Sequence, residues 1–62
     1  MRKIRVLAAN LLPHDVVNDL VVATVVGDRT TMVDVSAYAE DGENHLLVFR
    51  PGARVTAYRP AE

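Results

Sequence analysis

The sequence predicts an all-β protein, folded as a small five- or six-stranded SH3-like barrel or as a strongly curled antiparallel sheet. The stretch from Asp15 to Asp28 contains six Val among its fourteen residues, and Val favours strands because its branched side chain packs well on a pleated surface. Apolar and polar residues alternate from Thr31 to Ala39, which is the strand period. Short apolar runs separated by turn residues are typical of an antiparallel meander.

The chain has 62 residues and no Cys, so we expect a single small β-barrel domain over residues 1–62. A domain of this size buries only about 60% of the surface of its unfolded chain. No disulfide or thiolate metal site can reinforce its core. Small cores without such reinforcement often gain stability from oligomerisation, so a homo-oligomer is expected.

The first strand is predicted over Lys3–Ala8, where every second residue is apolar. The connection Asn10–Asp15 follows, because Pro13 lacks a backbone donor and holds Leu12 extended. Asp15 is expected to hydrogen-bond to nearby backbone in this turn. A helix over Leu12–Val21 is an alternative, since apolar residues there also recur at helical spacing.

The Val-rich stretch is predicted to be mostly strand. Asn18-Asp19 can form a tight hairpin turn, because both residues tolerate left-handed backbone; a bulge in one long strand is the alternative. From Leu20 to Val26 strict alternation makes both faces apolar, with Leu20, Val22 and Val26 on one face and Val21, Ala23 and Val25 on the other. A strand of this kind is covered on both faces, here by the curled sheet or by another subunit.

Three further strands follow, and each is bounded by turn residues. Gly27–Thr30 ends the Val-rich strand, and Asp41-Gly42 is the strongest hairpin signal. One face of the first of these strands is predicted to carry Val33, Val35, Ala37 and Ala39. The next strand is predicted to be apolar on both faces, with Leu47 and Phe49 against Leu46 and Val48. In the last strand Val55 and Ala57 are predicted to face inward. Curling the sheet pairs the first strand with the last.

Several of these turns resemble a known group of proteins. The pattern Leu12-Pro13-His14-Asp15-Val16-Val17, then Asp41-Gly42, Phe49-Arg50-Pro51, Val55 and Arg59, is similar to small uncharacterised all-β proteins of actinobacteria and their phages. Those proteins carry L-x-P-G-D-V-V, a Val-rich strand, a D-G hairpin and a terminal V-x-V-x-R. His14 stands where that pattern has Gly. The resemblance implies the fold and not an activity.

Residues with catalytic potential are few, so we expect a non-enzymatic protein without cofactor or metal. Ser36 is the only Ser and lies within a predicted strand. His14 and His45 could meet Asp15 or Asp34 at a metal site, but their spacing matches no known metal motif. A domain this small is also expected to have little room for a pocket of the roughly 300 Å³ or more that small-molecule sites need.

The first functional hypothesis is protein binding, including self-association, through apolar strand faces that one barrel interior cannot hold. Contiguous exposed apolar area usually marks an interface. The expected interface residues are Leu7, Val21, Val25, Leu46 and Val48. Alternatively, the Asn10–Asp15 loop covers these side chains.

The second hypothesis is nucleic-acid binding through a basic stripe on the terminal strands. The net charge is −1, but residues 1–5 carry +3, residues 6–45 carry −6 and residues 46–62 carry +2. Pairing of the first and last strands would gather basic side chains around one Tyr, a footprint of backbone or single-strand binding. The expected contacts are Arg2, Lys3, Arg5, Arg54, Tyr58 and Arg59.

We expect a cytoplasmic protein, with itself or another protein as partner and no membrane contact. The absence of Cys fits a reducing compartment. No run approaches the roughly 20 apolar residues of a membrane span. The N-terminal apolar run is short and interrupted by Arg5, so a signal peptide is not expected.

Overall fold

The computed structural model describes residues 1–60 and shows an all-β chain. The strands are β1 Arg2–Leu7, β2 Val16–Val17, β3 Leu20–Val26, β4 Val33–Tyr38, β5 Asn44–Phe49 and β6 Arg54–Arg59. The one helix within residues 1–60 is a three-residue 3-10 turn, Ala8–Asn10. The all-β prediction is confirmed, and the alternative helix over Leu12–Val21 is wrong, because β2, a tight turn and the start of β3 occupy that stretch.

The six strands form one antiparallel sheet in the order β1-β6-β2-β3-β4-β5. β1 pairs with β6 along its whole length, from Arg2 opposite Arg59 to Leu7 opposite Arg54, so the predicted pairing of the first and last strands is confirmed. β1 and β5 are the edges of the sheet. The fold is therefore the curled-sheet form of the prediction, and the sheet does not close into a barrel.

Alternation along the strands builds the core on the inner face of the curled sheet. Val33, Val35 and Ala37 share one face of β4, as the sequence predicts, and this face is the buried one. The 3-10 turn and the loop after it close one end of this core through the buried residues Ala8 and Leu11. The other buried apolar residues are Val17, Val22 and Ala57.

The turn between β2 and β3 is the tight hairpin predicted from Asn18-Asp19. Val17 lies opposite Leu20, so two residues form the loop. Asn18 has φ 50° and Asp19 has φ 64°, the left-handed pair of a type I′ turn. The turn suits the right-handed twist of the flanking strands, which explains why a pair as short as β2 can form.

A β-bulge in β3 changes the faces that strict alternation predicts. Val22 lies opposite Ala37 and Thr24 opposite Ser36, so Ala23 is an extra residue in the ladder. After the bulge, Val25 faces inward opposite Val35, and Val26 faces outward. The predicted face assignment is therefore wrong for Val25 and Val26, because one inserted residue reverses every later side chain.

Candidate functional site

The outer face of the sheet carries a row of side chains that crosses all six strands. Residues directly opposite one another in a ladder point to the same face, so the strand registers define this row. From β1 to β5 it comprises Lys3, Tyr58, Val16, Val21, Tyr38 and Asn44. It is basic at the β1 edge, apolar and aromatic in the middle and uncharged at the β5 edge.

One half of the outer face, on β3, β4 and β5, is an apolar patch. We define the apolar patch as Val21, Val26, Tyr38, Leu46 and Val48. Leu46 is 67% exposed, Val26 66% and Val48 54%, so more than half of each side chain contacts solvent. Polar Ser36 and Asp34 lie between the patch residues of β3 and β5. A stable monomer gains nothing from these side chains, so the patch is the strongest candidate for an interface.

Three of the five residues predicted for the interface belong to this patch: Val21, Leu46 and Val48. Val25 does not, because the bulge turns it toward the core. Leu7 is half-buried and lines a depression beside the 3-10 turn. The alternative cover, the Asn10–Asp15 loop, inserts Leu11 into the core and leaves Leu46 and Val48 exposed.

The other half of the outer face holds part of the predicted basic stripe. Lys3 lies opposite Tyr58, Arg5 opposite Thr56 and Arg54 opposite Leu7, and Lys3, Arg5, Arg54 and Tyr58 are all exposed. We call these four residues the basic stripe. Arg2 and Arg59 were expected in the same group. They lie opposite each other, each directly next in sequence to a stripe residue, Lys3 or Tyr58. They therefore belong to the other face, because neighbouring strand residues alternate in direction.

Arg59 is also held by a buried carboxylate. Its Nε and Nη2 donate hydrogen bonds to the two carboxylate oxygens of Asp15, at 2.9 and 2.8 Å. The Asp15 side chain is 1% exposed, whereas the Arg59 side chain is 25% exposed. This pair joins the last strand to the loop before β2, so Arg59 is committed to the fold and not to a ligand.

The environment of Asp15 favours its charged form. The hydrogen bond from Arg59 lowers the pKa of Asp15 below its ordinary value of 3.8, burial opposes this, and the hydrogen bond from the Leu12 N–H lowers the pKa further. The bond to Leu12 confirms the local role that the sequence predicts for Asp15. Sequence reasoning missed its ion pair with Arg59, because the two residues are 44 positions apart and no local pattern links them.

Groups that could hold a metal or perform catalysis are sparse in the part of the chain that the structure describes. Within residues 1–60 no three His, Asp or Glu side chains cluster as metal ligands. A depression of about 330 Å³ is lined by residues from the end of β1, the 3-10 turn and the β3–β4 turn: Leu7, Ala9, Asn10, Gly27, Asp28 and Arg29. The sequence predicts little room for a small-molecule site, and this depression reaches the lower end of that size range but is open to solvent.

The one carboxylate in that depression is engaged within its own turn. An Asp28 oxygen accepts hydrogen bonds from the Thr30 hydroxyl and the Thr30 N–H, at 2.6 and 2.7 Å. The hydroxyl bond is the main reason that the pKa of Asp28 is lowered. A carboxylate held ionised in this way is a poor general acid or base near neutral pH.

Comparison with known proteins returns no match: no protein-family profile, no curated sequence and no solved structure corresponds to this chain. The resemblance to small actinobacterial and phage proteins stays a prediction. No helix within residues 1–60 has the length and apolar character that crossing a membrane requires.

Proposed function

We propose that this protein is a non-enzymatic binding module that contacts other protein chains, including further copies of itself, through the apolar patch. The observation that carries the proposal is the exposure of Leu46 and Val48, which are neighbours on the outer face of β5, with exposed Val26 on β3 across Asp34. Large apolar side chains grouped on one exposed face often mark an interaction surface. The absence of Cys supports a reducing compartment such as the cytoplasm as its place of action.

The composition of the patch supports a protein partner. Tyr38 lies at one end of the patch, opposite Val21, and provides apolar area with a polar hydroxyl at its tip. Aromatic side chains are enriched in interface cores, and charged ones are depleted there. Asp34, which lies opposite Val48, is the charged outer-face residue of β4 and would have to stay at the rim or find a basic partner.

The proposal is tested by placing one charge within the patch and the same charge outside it. Leu46→Glu puts a carboxylate between Val48 and Tyr38 on the exposed face, where it cannot disturb the core. Thr56→Glu is the matched control, because Thr56 is exposed on the same outer face but on β6. We expect Leu46→Glu to weaken self-association or partner binding by at least about tenfold, whereas Thr56→Glu changes it little.

Sedimentation equilibrium over micromolar to millimolar concentration gives the dissociation constant of self-association, and circular dichroism verifies that both variants fold. Equal weakening by both variants would contradict the proposal, because a charge anywhere on the face would then have the same effect. A monomer mass at all concentrations would remove self-association and leave only a different protein as partner.

A second candidate function, nucleic-acid binding, is favoured by one observation. The basic stripe places Lys3 opposite Tyr58, with Arg5 and Arg54 farther along the same exposed face. A line of basic side chains with an aromatic one suits a phosphate backbone with a stacked base. The net charge of −1 weighs against it, since nucleic-acid-binding domains are usually basic. We therefore rank this function second.

Salt dependence separates the two functions. Affinity for single-stranded nucleic acid falls with salt by a log–log slope of about 0.7 for each phosphate contact. Replacing Lys3 and Arg5 by Gln should lower that slope if the basic stripe binds phosphates, whereas Leu46→Glu should have no effect on it. Binding of random-sequence DNA or RNA at physiological salt that disappears in the Lys3→Gln, Arg5→Gln variant would reverse our ranking.

A further inference from the structure

The two edges of the sheet differ in how they are protected against pairing with another strand. Free sheet edges offer unpaired N–H and C=O groups, and natural proteins block them with charged side chains, especially Lys, or with Pro. β1 carries Arg2, Lys3 and Arg5 along its six residues, whereas β5 has the sequence Asn-His-Leu-Leu-Val-Phe without Lys, Arg, Asp, Glu or Pro. Among the residues that the structure describes, such side chains therefore protect the β1 edge and not the β5 edge.

The hydrogen bonds of the β4–β5 hairpin identify the groups that β5 leaves free. The Ala39 N–H donates to the Glu43 carbonyl at 2.9 Å, so this pair is a hydrogen-bonded pair of the ladder. Such pairs alternate with non-hydrogen-bonded ones, and therefore His45, Leu47 and Phe49 direct their backbone groups toward β4. The backbone N–H and C=O groups of Asn44, Leu46 and Val48 point away from the sheet.

We infer that β5 pairs antiparallel with β5 of a second copy of this chain across a two-fold axis, so that the two sheets become one continuous sheet. This inference rests on the proposed self-association and gives it a geometry. Residues with outward backbone groups must face one another in such a joint. The register that sets Leu46 opposite Val48 of the second copy meets this requirement and places Leu47 at the axis.

The side chains at this joint match the pairing. In that register Leu46 and Val48 of each copy pack against Val48 and Leu46 of the other on the outer face, as apolar cross-strand pairs do. A register shifted by two residues would set Val48 opposite Asn44 and lose half of this contact. The joint also brings the two apolar patches together into one surface, so both copies cover part of each other's exposed apolar area.

Charge at the two ends of β5 selects the antiparallel arrangement. The hairpin tip before β5 carries Glu40, Asp41 and Glu43, and Arg50 follows β5 directly. An antiparallel joint sets the acidic tip of each copy beside Arg50 of the other, which is attractive at both ends. A parallel joint would place the two acidic tips together, and pairing of β1 with β1 would place three basic residues against three, so both are disfavoured.

Amide hydrogen exchange tests the joint on the unmodified protein. The Leu46 and Val48 N–H groups are free in the monomer and bonded in the joint, whereas the Leu47 N–H is bonded in both. We expect the exchange of Leu46 and Val48 to slow by at least about tenfold between micromolar and millimolar protein, with no change at Lys3 and Arg5. Slowing at Lys3 and Arg5 would overturn the inference in favour of the β1 edge, and unchanged exchange at Leu46 and Val48 would overturn it outright.

Removing the outward N–H of Val48 tests the joint by mutation. Val48→Pro removes a donor that the monomer does not use, and edge strands accept Pro at such positions. Because the joint is symmetric, two hydrogen bonds are lost, and we expect the dissociation constant of the dimer to rise at least tenfold. N-methylation of the Val48 amide in a chemically synthesised chain removes the same donor and keeps the Val side chain if the Pro variant does not fold.

N-methylation of the Arg5 amide is the matched control, since that N–H is free at the β1 edge. The Ala8 N–H donates to the Ala53 carbonyl at 2.9 Å, so this is a hydrogen-bonded pair of the β1–β6 ladder. Because such pairs alternate with non-hydrogen-bonded ones, the backbone N–H and C=O groups of Lys3, Arg5 and Leu7 point away from β6. If both Val48 modifications leave the dimer intact while Val21→Glu dissociates it, the edge joint is wrong and binding through the apolar patch stands. If the Val48 modifications dissociate the dimer and Val21→Glu and the Arg5 modification do not, the edge joint is supported.

Discussion

Asp15 is the buried charged residue of the chain over residues 1–60, and its position explains why the first loop and the last strand stay together. Its carboxylate accepts hydrogen bonds from Arg59 and from the Leu12 N–H. Its backbone carbonyl accepts a hydrogen bond from the Val22 N–H at 2.8 Å. One residue therefore connects the loop, β3 and β6, and a buried carboxylate that loses its partners is costly.

Asp15→Asn should destabilise the fold by about 2 kcal/mol, because an amide cannot make the charged bidentate pair with Arg59 and leaves buried polar atoms poorly matched. Asp34→Asn is the control: it removes one exposed carboxylate on the outer face and should change the free energy of unfolding by less than about 0.5 kcal/mol. Urea unfolding at neutral pH measures both. Equal effects of the two substitutions would show that the ion pair adds nothing.

The same pair predicts a pH dependence. The folded pKa of Asp15 lies below the ordinary value of 3.8, so its contribution to stability is fully present above about pH 4. The contribution is lost as the pH falls through the folded pKa, because the folded state then has to take up the proton. Acid unfolding should therefore be less steep in Asp15→Asn than in the wild type, and an identical acid profile would contradict this account.

Gly27 is required by its surroundings as well as by its backbone. It has φ 122°, and a Cβ there would lie well inside contact distance of the Met32 carbonyl oxygen. Gly27→Ala should cost about 3 kcal/mol or more, since both backbone strain and a backbone clash oppose it. Gly42→Ala, where φ is +86° and no atom lies within 4 Å, should cost only about 1–2 kcal/mol. Urea unfolding measures both costs: if the two variants have the same denaturant dependence of the unfolding free energy, the difference in their midpoints gives the difference in stability.

At the scale of elements, β2 shows how a very short strand can hold a sheet together. It has two residues, yet it lies between β3 and β6 and joins the two halves of the sheet. The type I′ turn at Asn18-Asp19 fixes its register with β3, and Val16 lies opposite Tyr58 on the other side. The stability of this junction should therefore depend strongly on the turn.

Asp19→Gly should stabilise the protein by about 0.5–1 kcal/mol, because Asn-Gly is the preferred type I′ pair and Gly adopts φ 64° without strain. Asp19→Ala removes the same carboxylate but keeps a Cβ in left-handed backbone, so it should destabilise by about 1 kcal/mol. Thermal unfolding of the wild type, Asp19→Gly and Asp19→Ala measures their melting temperatures, and we expect the Gly variant to have the highest and the Ala variant the lowest. Similar melting temperatures for the Gly and Ala variants would mean that the turn conformation contributes little.

At the scale of the whole molecule, the sheet has two halves with different outer surfaces. The β1–β6 half carries the basic stripe, and the β3–β4–β5 half carries the apolar patch, interrupted by Ser36 and Asp34. The core beneath them consists mainly of Val and Ala side chains, which bury less area per residue than Leu or Phe. A domain with so small a core benefits from a second copy that covers its exposed apolar side chains.

Self-association linked to folding makes stability depend on protein concentration. The melting temperature of the wild type should rise as the concentration increases from micromolar to millimolar, because the dimer forms only from folded chains. Leu46→Glu should melt at a temperature that does not change with concentration. A wild-type melting temperature that is constant over this range would exclude a dimer with a dissociation constant within it.

The sequence by itself determined the class of fold, a count of five or six strands and the alternation of most strand side chains. Val33, Val35 and Ala37 face the core because period-two alternation is a local property of extended chain. The Asn18-Asp19 turn was predictable for the same reason, since two adjacent residues define its backbone. Val21, Leu46 and Val48 were predicted at an interface because the sequence has more apolar positions than one small core can hold.

Only the tertiary structure decided the rest, because those features depend on strands that meet from distant parts of the chain. The bulge at Ala23 is set by the fit of β3 against β4, and it moved Val25 into the core and Val26 to the surface. The ion pair of Asp15 with Arg59 forms only when β6 lies beside β2. Local alternation already puts Arg2 on the face opposite Lys3 and Arg59 on the face opposite Tyr58, but only the register between β1 and β6 makes Arg2 and Arg59 direct neighbours. Local periodicity contains no information on which distant strands pair. The sequence therefore predicts the strands but not the surface that they form together.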